Sequence, residues 1–219
     1  MSEYTILAWQ PLLRPPHPPE HQPQAARMLI PLKALACRNE TVSLAAMVTS
    51  KEPVECARLV IGDMVSNAAR ISRDAASVRV VGAVPTPEAG IVSDPLLASD
   101  EFRIECSTAL YVSVAIAEQT PPGFYRGIVS LEVDGQQAAR TGIELEVANV
   151  MLPAPRDWRF FLNVWMNPAP IARVRGVDMW SDAHFSAMRP YVEDLASHGQ
   201  KTVVVPICCQ PWGTQTRDP

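Results

Sequence analysis

The chain has 219 residues, enough for one or two domains. Hydrophobic residues at 47% and charged residues at 19% are typical of a globular chain and exclude a disordered one. The net charge is −4 and the basic residues form no cluster, which argues against nucleic acid as a partner. No signal peptide and no apolar run of roughly 18 residues is visible, so we expect a cytoplasmic protein with no membrane partner.

Residues 1–155 are predicted to form an antiparallel, immunoglobulin-like β-sandwich. Short apolar alternations separated by turn residues recur here, and no strong helical period interrupts them. These alternations cover residues 42–48, 58–61, 102–106 and 109–117. Residues 127–133 and 142–147 alternate in the same way, and Asp134-Gly135 is a turn dipeptide between them, which predicts a hairpin with one wet face.

Three stretches of this region do not show the alternation. Residues 14–23 and 84–90 are rich in proline and are predicted to be loops. A ligand for a proline-recognising module is the alternative interpretation of the first. Residues 62–74 are compatible with a loop, a short helix or a strand.

Residues 156–219 are predicted to be the incomplete start of a (β/α) barrel of the TIM type. Two apolar segments, residues 159–165 and 201–207, are predicted to be buried parallel strands on either side of a helix over residues 181–198. One such β-α-β unit leaves two strand edges unpaired. We therefore expect a truncated barrel whose open edges favour self-association.

The predicted helix has clear signals at both ends. Ser181 is the expected N-cap, and Gly199 is the expected left-handed residue after the last turn. Trp180, directly before the cap, is expected to be a packing anchor. The predicted apolar stripe consists of Phe185, Met188, Val192 and Leu195.

Residues just past the strand ends face the site of a barrel enzyme. Trp165 and Asn167 follow the first predicted strand, and Trp212 and Gln215 follow the second. A Trp ring stacks on the apolar face of a sugar while amide groups bond its hydroxyls, so these four are candidate substrate-binding residues for a carbohydrate. Packing of either Trp under a loop is the alternative interpretation.

No catalytic residue, metal site or cofactor is predicted. The acidic pairs Asp100-Glu101 and Glu193-Asp194 are expected at a solvated strand start and on the polar face of the helix. The four histidines and five cysteines show no metal-site spacing. The cysteines are odd in number and stand mostly in apolar contexts, so we expect reduced thiols rather than a disulfide framework.

Several stretches together resemble one family of enzymes. The first part is similar to a glycosidase-associated sandwich, and the second to the start of the catalytic barrel of glycoside hydrolase family 123. The stretches similar to the sandwich are residues 36–40, 121–127 and 152–153. The stretches similar to the barrel are residues 162–165, 180–185, 199–201 and 211–216.

The resemblance implies a retaining, substrate-assisted β-N-acetylgalactosaminidase-like enzyme acting on glycans with N-acetylhexosamine. In that family an Asp orients the substrate acetamido group and the neighbouring Glu is the general acid and base, a departure from the two-carboxylate scheme. No position of this chain matches that Asp-Glu pair. The implied glycosidase is therefore expected to be inactive as these 219 residues alone. A non-catalytic carbohydrate-binding or structural β-sandwich module is the alternative.

Overall fold

A computed structural model of the chain describes residues 4–9, 11, 15 and 31–204. The chain divides into two compact units, Met1–Leu152 and Pro153–Pro219. The predicted proline-rich loop, apart from Pro15, lies outside the described residues, as does the end of the second predicted barrel strand.

The first unit contains all the strands of the described residues, and these form two sheets. In chain order the strands are β1 Tyr4–Trp9, β2 Leu32–Arg38, β3 Glu40–Ser50, β4 Val54–Ile61, β5 Met64–Val65, β6 Arg70–Ile71, β7 Ala76–Thr86, β8 Gly90–Leu97, β9 Phe102–Ile104, β10 Ser107–Ile116, β11 Gly123–Val133 and β12 Gln136–Met151. One sheet has the order β1-β3-β10-β7-β8 and the other β2-β12-β11-β4-β9, with β5 paired to β11 and β6 paired to β5. The described pairs are antiparallel except β2 with β12.

Both sheets contribute alternate residues to one buried cluster. Val112 and Val114 come from the first sheet, and Leu131 and Leu145 come from the second; all four are fully buried. Because side chains alternate across a strand, each sheet gives one face to this core. The prediction of a mainly β chain with antiparallel sheets is confirmed, and the immunoglobulin-like topology stays a prediction.

The predicted hairpin is β11 and β12. Asp134 and Gly135 both have positive φ, 51° and 76°, as a tight hairpin turn between right-handed twisted strands requires. Tyr125 of β11 is fully buried and its hydroxyl donates to the Pro121 carbonyl at 2.7 Å. This bond ties the loop before β11 to the core.

The prediction of a loop over residues 84–90 is wrong. Val84, Pro85 and Thr86 continue β7 and pair with the start of β8, so only residues 87–89 form a turn. β7 pairs with β10 only over Ala76–Val80. Pro85 lies beyond this range, so its lack of an N–H costs no hydrogen bond to β10. Residues 62–74, whose sequence is compatible with a loop, a short helix or a strand, form β5, β6 and part of a 3₁₀ turn at Arg73–Ala75.

The second unit has two described α-helices, α1 Pro168–Arg175 and α2 Asp182–Ser197, and a 3₁₀ turn at Pro155–Asp157. The predicted helix is confirmed as α2: Ser181 accepts from the His184 N–H, and Gly199 follows the helix with φ 92°. The sequence pattern missed α1, although its signals are present. Asn167 is the N-cap, Pro168 stands at the first position, and Gly176 ends the helix in the left-handed conformation.

The prediction of buried strands on both sides of α2 is wrong for the described residues. In residues 159–165 only Leu162 makes a bridge, parallel to Gln200, and Phe161 and Trp165 are 70% and 60% exposed. Residues 201–204 form no strand. Parallel strands are stable when a ladder and covered faces surround them, and a single bridge supplies neither. The start of a barrel therefore stays a prediction.

Candidate functional site

The predicted sugar-binding residues of the first strand lie in the segment that leads into α1. Trp165 presents most of its side chain to solvent. The side-chain oxygen of Asn167 accepts from the Ala169 N–H at 3.2 Å and so caps α1, which restrains this side chain. Trp212 and Gln215 lie outside the described residues. A binding role for these four residues stays a prediction.

Gln200 fixes the backbone directly before Trp165. Its side-chain oxygen accepts from the Val164 N–H at 2.9 Å, and its side-chain nitrogen donates to the Val164 carbonyl at 3.0 Å. The same nitrogen donates to the Thr202 carbonyl at 2.8 Å. The side-chain amide of Gln200 thereby bonds both backbone groups of Val164, as the peptide group of a paired strand would. It joins the two segments predicted as barrel strands.

We expect Gln200→Glu to lower the free energy of unfolding by about 2 kcal/mol, because a carboxylate accepts from Val164 but cannot donate to either carbonyl. Calorimetric unfolding at pH 7 measures the change. Gln136→Glu, an exposed site, is the matched control and should stay within about 0.5 kcal/mol. Equal stability of the Gln200→Glu variant and the unaltered chain would show that these bonds contribute nothing.

Trp158 forms a second fixed point of this unit. Its indole N–H donates to the Pro153 carbonyl at 2.9 Å, and its ring stacks on Phe160 with centroids 4.9 Å apart. The Lys201 ammonium donates to the Trp158 carbonyl at 2.6 Å. Gly199 lies against the ring, so close that a Cβ would stand 2.5 Å from one ring carbon. The glycine after α2 is thus needed for contact as well as for its φ.

The apolar stripe of α2 differs from its prediction at one position. Phe185 is 53% exposed, whereas His184 is fully buried in the same row as Met188. Val192 and Leu195 are half-buried and, with Met166, line a cavity of about 200 Å³. The cavity lies on the helix face where a packed strand was predicted.

His184 is buried because both ring nitrogens have partners. Nδ1 accepts from the Trp180 N–H at 3.0 Å, so the proton of the neutral ring is on Nε2, which donates to the Pro168 carbonyl at 3.0 Å. A buried polar group with two hydrogen bonds avoids the cost of desolvation. Trp180 was expected to be a packing anchor; its backbone is held by a hydrogen bond, but the residue as a whole is 40% exposed.

The described acidic pairs lie where the sequence places them. Asp100 and Glu101 are exposed before β9, and Glu193 and Asp194 are exposed on α2. Within the described part of the chain, no three His, Cys, Asp or Glu residues are placed to hold a metal ion. Neither described helix is long and apolar enough to cross a membrane.

Two titratable groups of the first unit have shifted pKa values. A hydrogen bond with Glu101 raises the pKa of the Cys56 thiol, which keeps this thiol protonated and a poor nucleophile. The hydrogen bond from Lys33, at 2.8 Å, lowers the pKa of Glu144. Arg126 lies 3.6 Å from the same carboxylate, so the group is an ion pair across three strands rather than a proton donor.

The fold of the chain is similar to that of a glycosidase of known structure. A family 123 glycoside hydrolase from Clostridium perfringens, described for glycolipid glycan hydrolysis, superimposes with a TM-score of 0.83 at 16% sequence identity. The similarity covers 98% of this chain and 39% of that enzyme. The chain therefore spans well under half of the length of the enzyme that it resembles.

The second part of the chain also matches a family by sequence. Residues 165–219 match the model of the catalytic domain of glycoside hydrolase 123. No curated protein sequence matches the chain. The amino-terminal domain of PorA has a TM-score of 0.31 at 8% identity, over 67% of this chain and 99% of that domain. A PapD-like domain of human CEP192 has a TM-score of 0.28 at 9% identity, over 54% of this chain and 82% of that domain. Neither similarity is high enough to support an argument about this chain. Both matches are to glycoside hydrolase family 123, one by sequence over residues 165–219 and one by fold.

Proposed function

We propose that the chain is the amino-terminal part of a retaining, substrate-assisted glycoside hydrolase acting on N-acetyl-β-hexosaminides. Residues 1–155 would be its β-sandwich and residues 156–219 the start of its catalytic barrel. The supporting observation is the match of residues 165–219 to a glycoside hydrolase 123 catalytic domain, within a fold similarity to such an enzyme over 98% of the chain.

The proposed reaction follows from the resemblance to that family. The acetamido oxygen of the substrate attacks the anomeric carbon, and the bond to the leaving oxygen breaks as a Glu protonates that oxygen. The same Glu then takes a proton from water, which opens the oxazoline intermediate with overall retention. An Asp beside the Glu orients the acetamido group. This chain has no position that matches the pair.

Trp165 is the described residue with the clearest part in the proposed site. Its exposed ring, at the end of a segment that Gln200 holds by two hydrogen bonds, is suited to stack on the sugar. Trp212 and Gln215 complete the proposed sugar contacts. Because none of these residues can transfer a proton at neutral pH, the 219 residues alone should not hydrolyse the substrate.

Release of nitrophenol from aryl N-acetyl-β-galactosaminide tests the proposal. The chain is compared with a longer product of the same reading frame, and aryl β-galactoside, which lacks the acetamido group, is the matched control substrate. We expect activity only from the longer product and only on the acetamido sugar. Hydrolysis by the 219 residues, or equal hydrolysis of both substrates, contradicts the proposal.

A second candidate is a non-catalytic carbohydrate-binding module, and a cavity of about 440 Å³ in the first unit favours it. Its lining combines apolar residues with Glu101, Arg103 and Ser107, and the buried Ser107 hydroxyl makes no hydrogen bond within the described residues. A volume of this size suits a small ligand. Saturable glycan binding that is lost in Ser107→Val and kept in Trp165→Ala would favour this candidate.

A further inference from the structure

Trp180 has a backbone conformation that a bulky residue rarely adopts. Three non-glycine residues of the described chain have positive φ: Asn39, Asp134 and Trp180, the last at 66°. Asn and Asp tolerate this region because their short polar side chains bond locally, whereas a large side chain is strained in it. Strained residues persist where surrounding contacts enforce them, and they concentrate at functional sites.

The contacts that enforce the strain come from both helices of the second unit. The Trp180 N–H is held by Nδ1 of His184, and Nε2 of His184 is held by the Pro168 carbonyl at the start of α1. The Ser181 hydroxyl donates to the Asp178 carbonyl at 2.7 Å. The turn before α2 is thus fixed from both sides, and His184, with no exposed surface, is its central link.

The result of this arrangement is an accessible indole ring on a backbone that is held in place. The ring centroid of Trp180 lies 5.5 Å from that of His184 and 6.2 Å from that of Phe185, which is itself half exposed. The turn alone does not explain a Trp at this position, since Gly or Asn would form the same turn with less strain. The strained backbone is therefore explained by the position that it gives to the indole ring.

The location of the ring indicates what it would contact. Trp180 lies in the connection between the segment that ends at Trp165 and helix α2, and it falls inside the residues that match a glycosidase catalytic domain. In barrel enzymes the connection from a strand to the following helix lines the site. An exposed indole in that connection fits the apolar face of a sugar ring.

We infer that Trp180 is a second sugar-stacking residue of the proposed site and that His184 is the residue that positions it. The inference rests on the proposed function, whose sugar class it shares. It adds to Trp165 a second aromatic contact, which the sequence pattern assigned to packing. His184 acts through the Trp180 backbone and makes no contact with the sugar.

The test is a titration of the full chain with methyl N-acetyl-β-galactosaminide, followed by the indole N–H signals of the ¹⁵N-labelled tryptophans. The chain has five Trp residues, and single Trp→Phe variants assign their signals. We expect the Trp180 signal to shift saturably. The Trp158 indole, whose N–H is bonded to the Pro153 carbonyl, serves as an internal reference.

Variants separate stacking from folding. Trp180→Gly relieves the positive φ and removes the ring, so it should fold and bind the sugar about tenfold more weakly. Tyr191→Ala removes an exposed ring from the neighbouring helix α2 and should leave the affinity unchanged. His184→Leu should weaken binding as Trp180→Gly does, and His184→Asn, which keeps an acceptor for the Trp180 N–H, should restore part of the affinity.

The outcomes distinguish the two proposals. If the sugar shifts the Trp165 signal and Trp180→Gly binds it as tightly as the unaltered chain, the inference about Trp180 is overturned and the proposed function stands. If no indole signal responds to the sugar, both are overturned. A saturable shift of the Trp180 signal, together with weaker sugar binding by Trp180→Gly, supports the inference.

Discussion

Gly199→Ala should be the most destabilising single-methyl change in the second unit. At φ 92° an L side chain is strained, and the added Cβ would stand 2.5 and 2.8 Å from two carbons of the Trp158 ring and 3.2 Å from the Pro155 carbonyl oxygen. Strain and overpacking together should cost about 3 kcal/mol. Urea unfolding followed by tryptophan fluorescence measures it, since four of the five Trp residues lie in this unit.

Gly176→Ala is the matched control, because this glycine ends α1 at φ 62° and a Cβ there meets nothing within 4 Å. It should cost only the conformational strain, about 1 kcal/mol. The difference between the two variants isolates the contact with Trp158. Equal losses of unfolding free energy in Gly199→Ala and Gly176→Ala would mean that the Trp158 ring moves aside without cost. The contact between Trp158 and Gly199 would then not stabilise this unit.

The sequence predicts those elements whose signals are local. The Asp134-Gly135 turn between alternating strands indicates a hairpin by itself, and Ser181 and Gly199 mark the ends of α2. Helix α1 could have been predicted from the same kind of signals, since Asn167, Pro168 and Gly176 are a cap, a first-position proline and a left-handed end. Helix α1 was not predicted because it has only eight residues, two of them prolines, which is too short for a clear helical period.

The features that the sequence does not predict depend on partners distant along the chain. Hydrophobicity assigns Phe185 to the buried face of α2, but His184 is buried instead because Trp180 and Pro168 satisfy both of its nitrogens. The pairing of Gln200 with Val164, 36 residues away, has no local pattern at all. The candidate site depends on such contacts, whereas Trp165, Asn167, Trp212 and Gln215 were chosen from their position after predicted strands, and their binding role stays a prediction.

The core of the first unit has an equivalent point of close contact at Gly127. This residue of β11 points to the buried face, and a Cβ would stand 2.8 Å from the Asp63 carbonyl oxygen, 2.9 Å from Cγ of Met64 and 3.1 Å from Cγ2 of Ile143. The glycine lets the short strand β5, whose Met64 is fully buried, cover the core beside β11. A side chain at this position would displace it.

Gly127→Val should therefore lower the free energy of unfolding by about 3 kcal/mol, although valine is the better strand residue by up to about 1 kcal/mol. The backbone oxygen of Asp63 cannot rotate away as a side chain could, so β5 must shift. Far-UV circular dichroism during urea unfolding measures the loss, because all described strands lie in this unit.

Arg126→Val on the opposite face of the same strand is the control for Gly127→Val. It removes an exposed ion pair with Glu144, worth at most about 1 kcal/mol, and gains strand propensity, so its net effect should be small. If Gly127→Val were as stable as Arg126→Val, β5 would be free to move away from β11. Met64 would then be a mobile part of the core rather than a residue that the sheet holds in place.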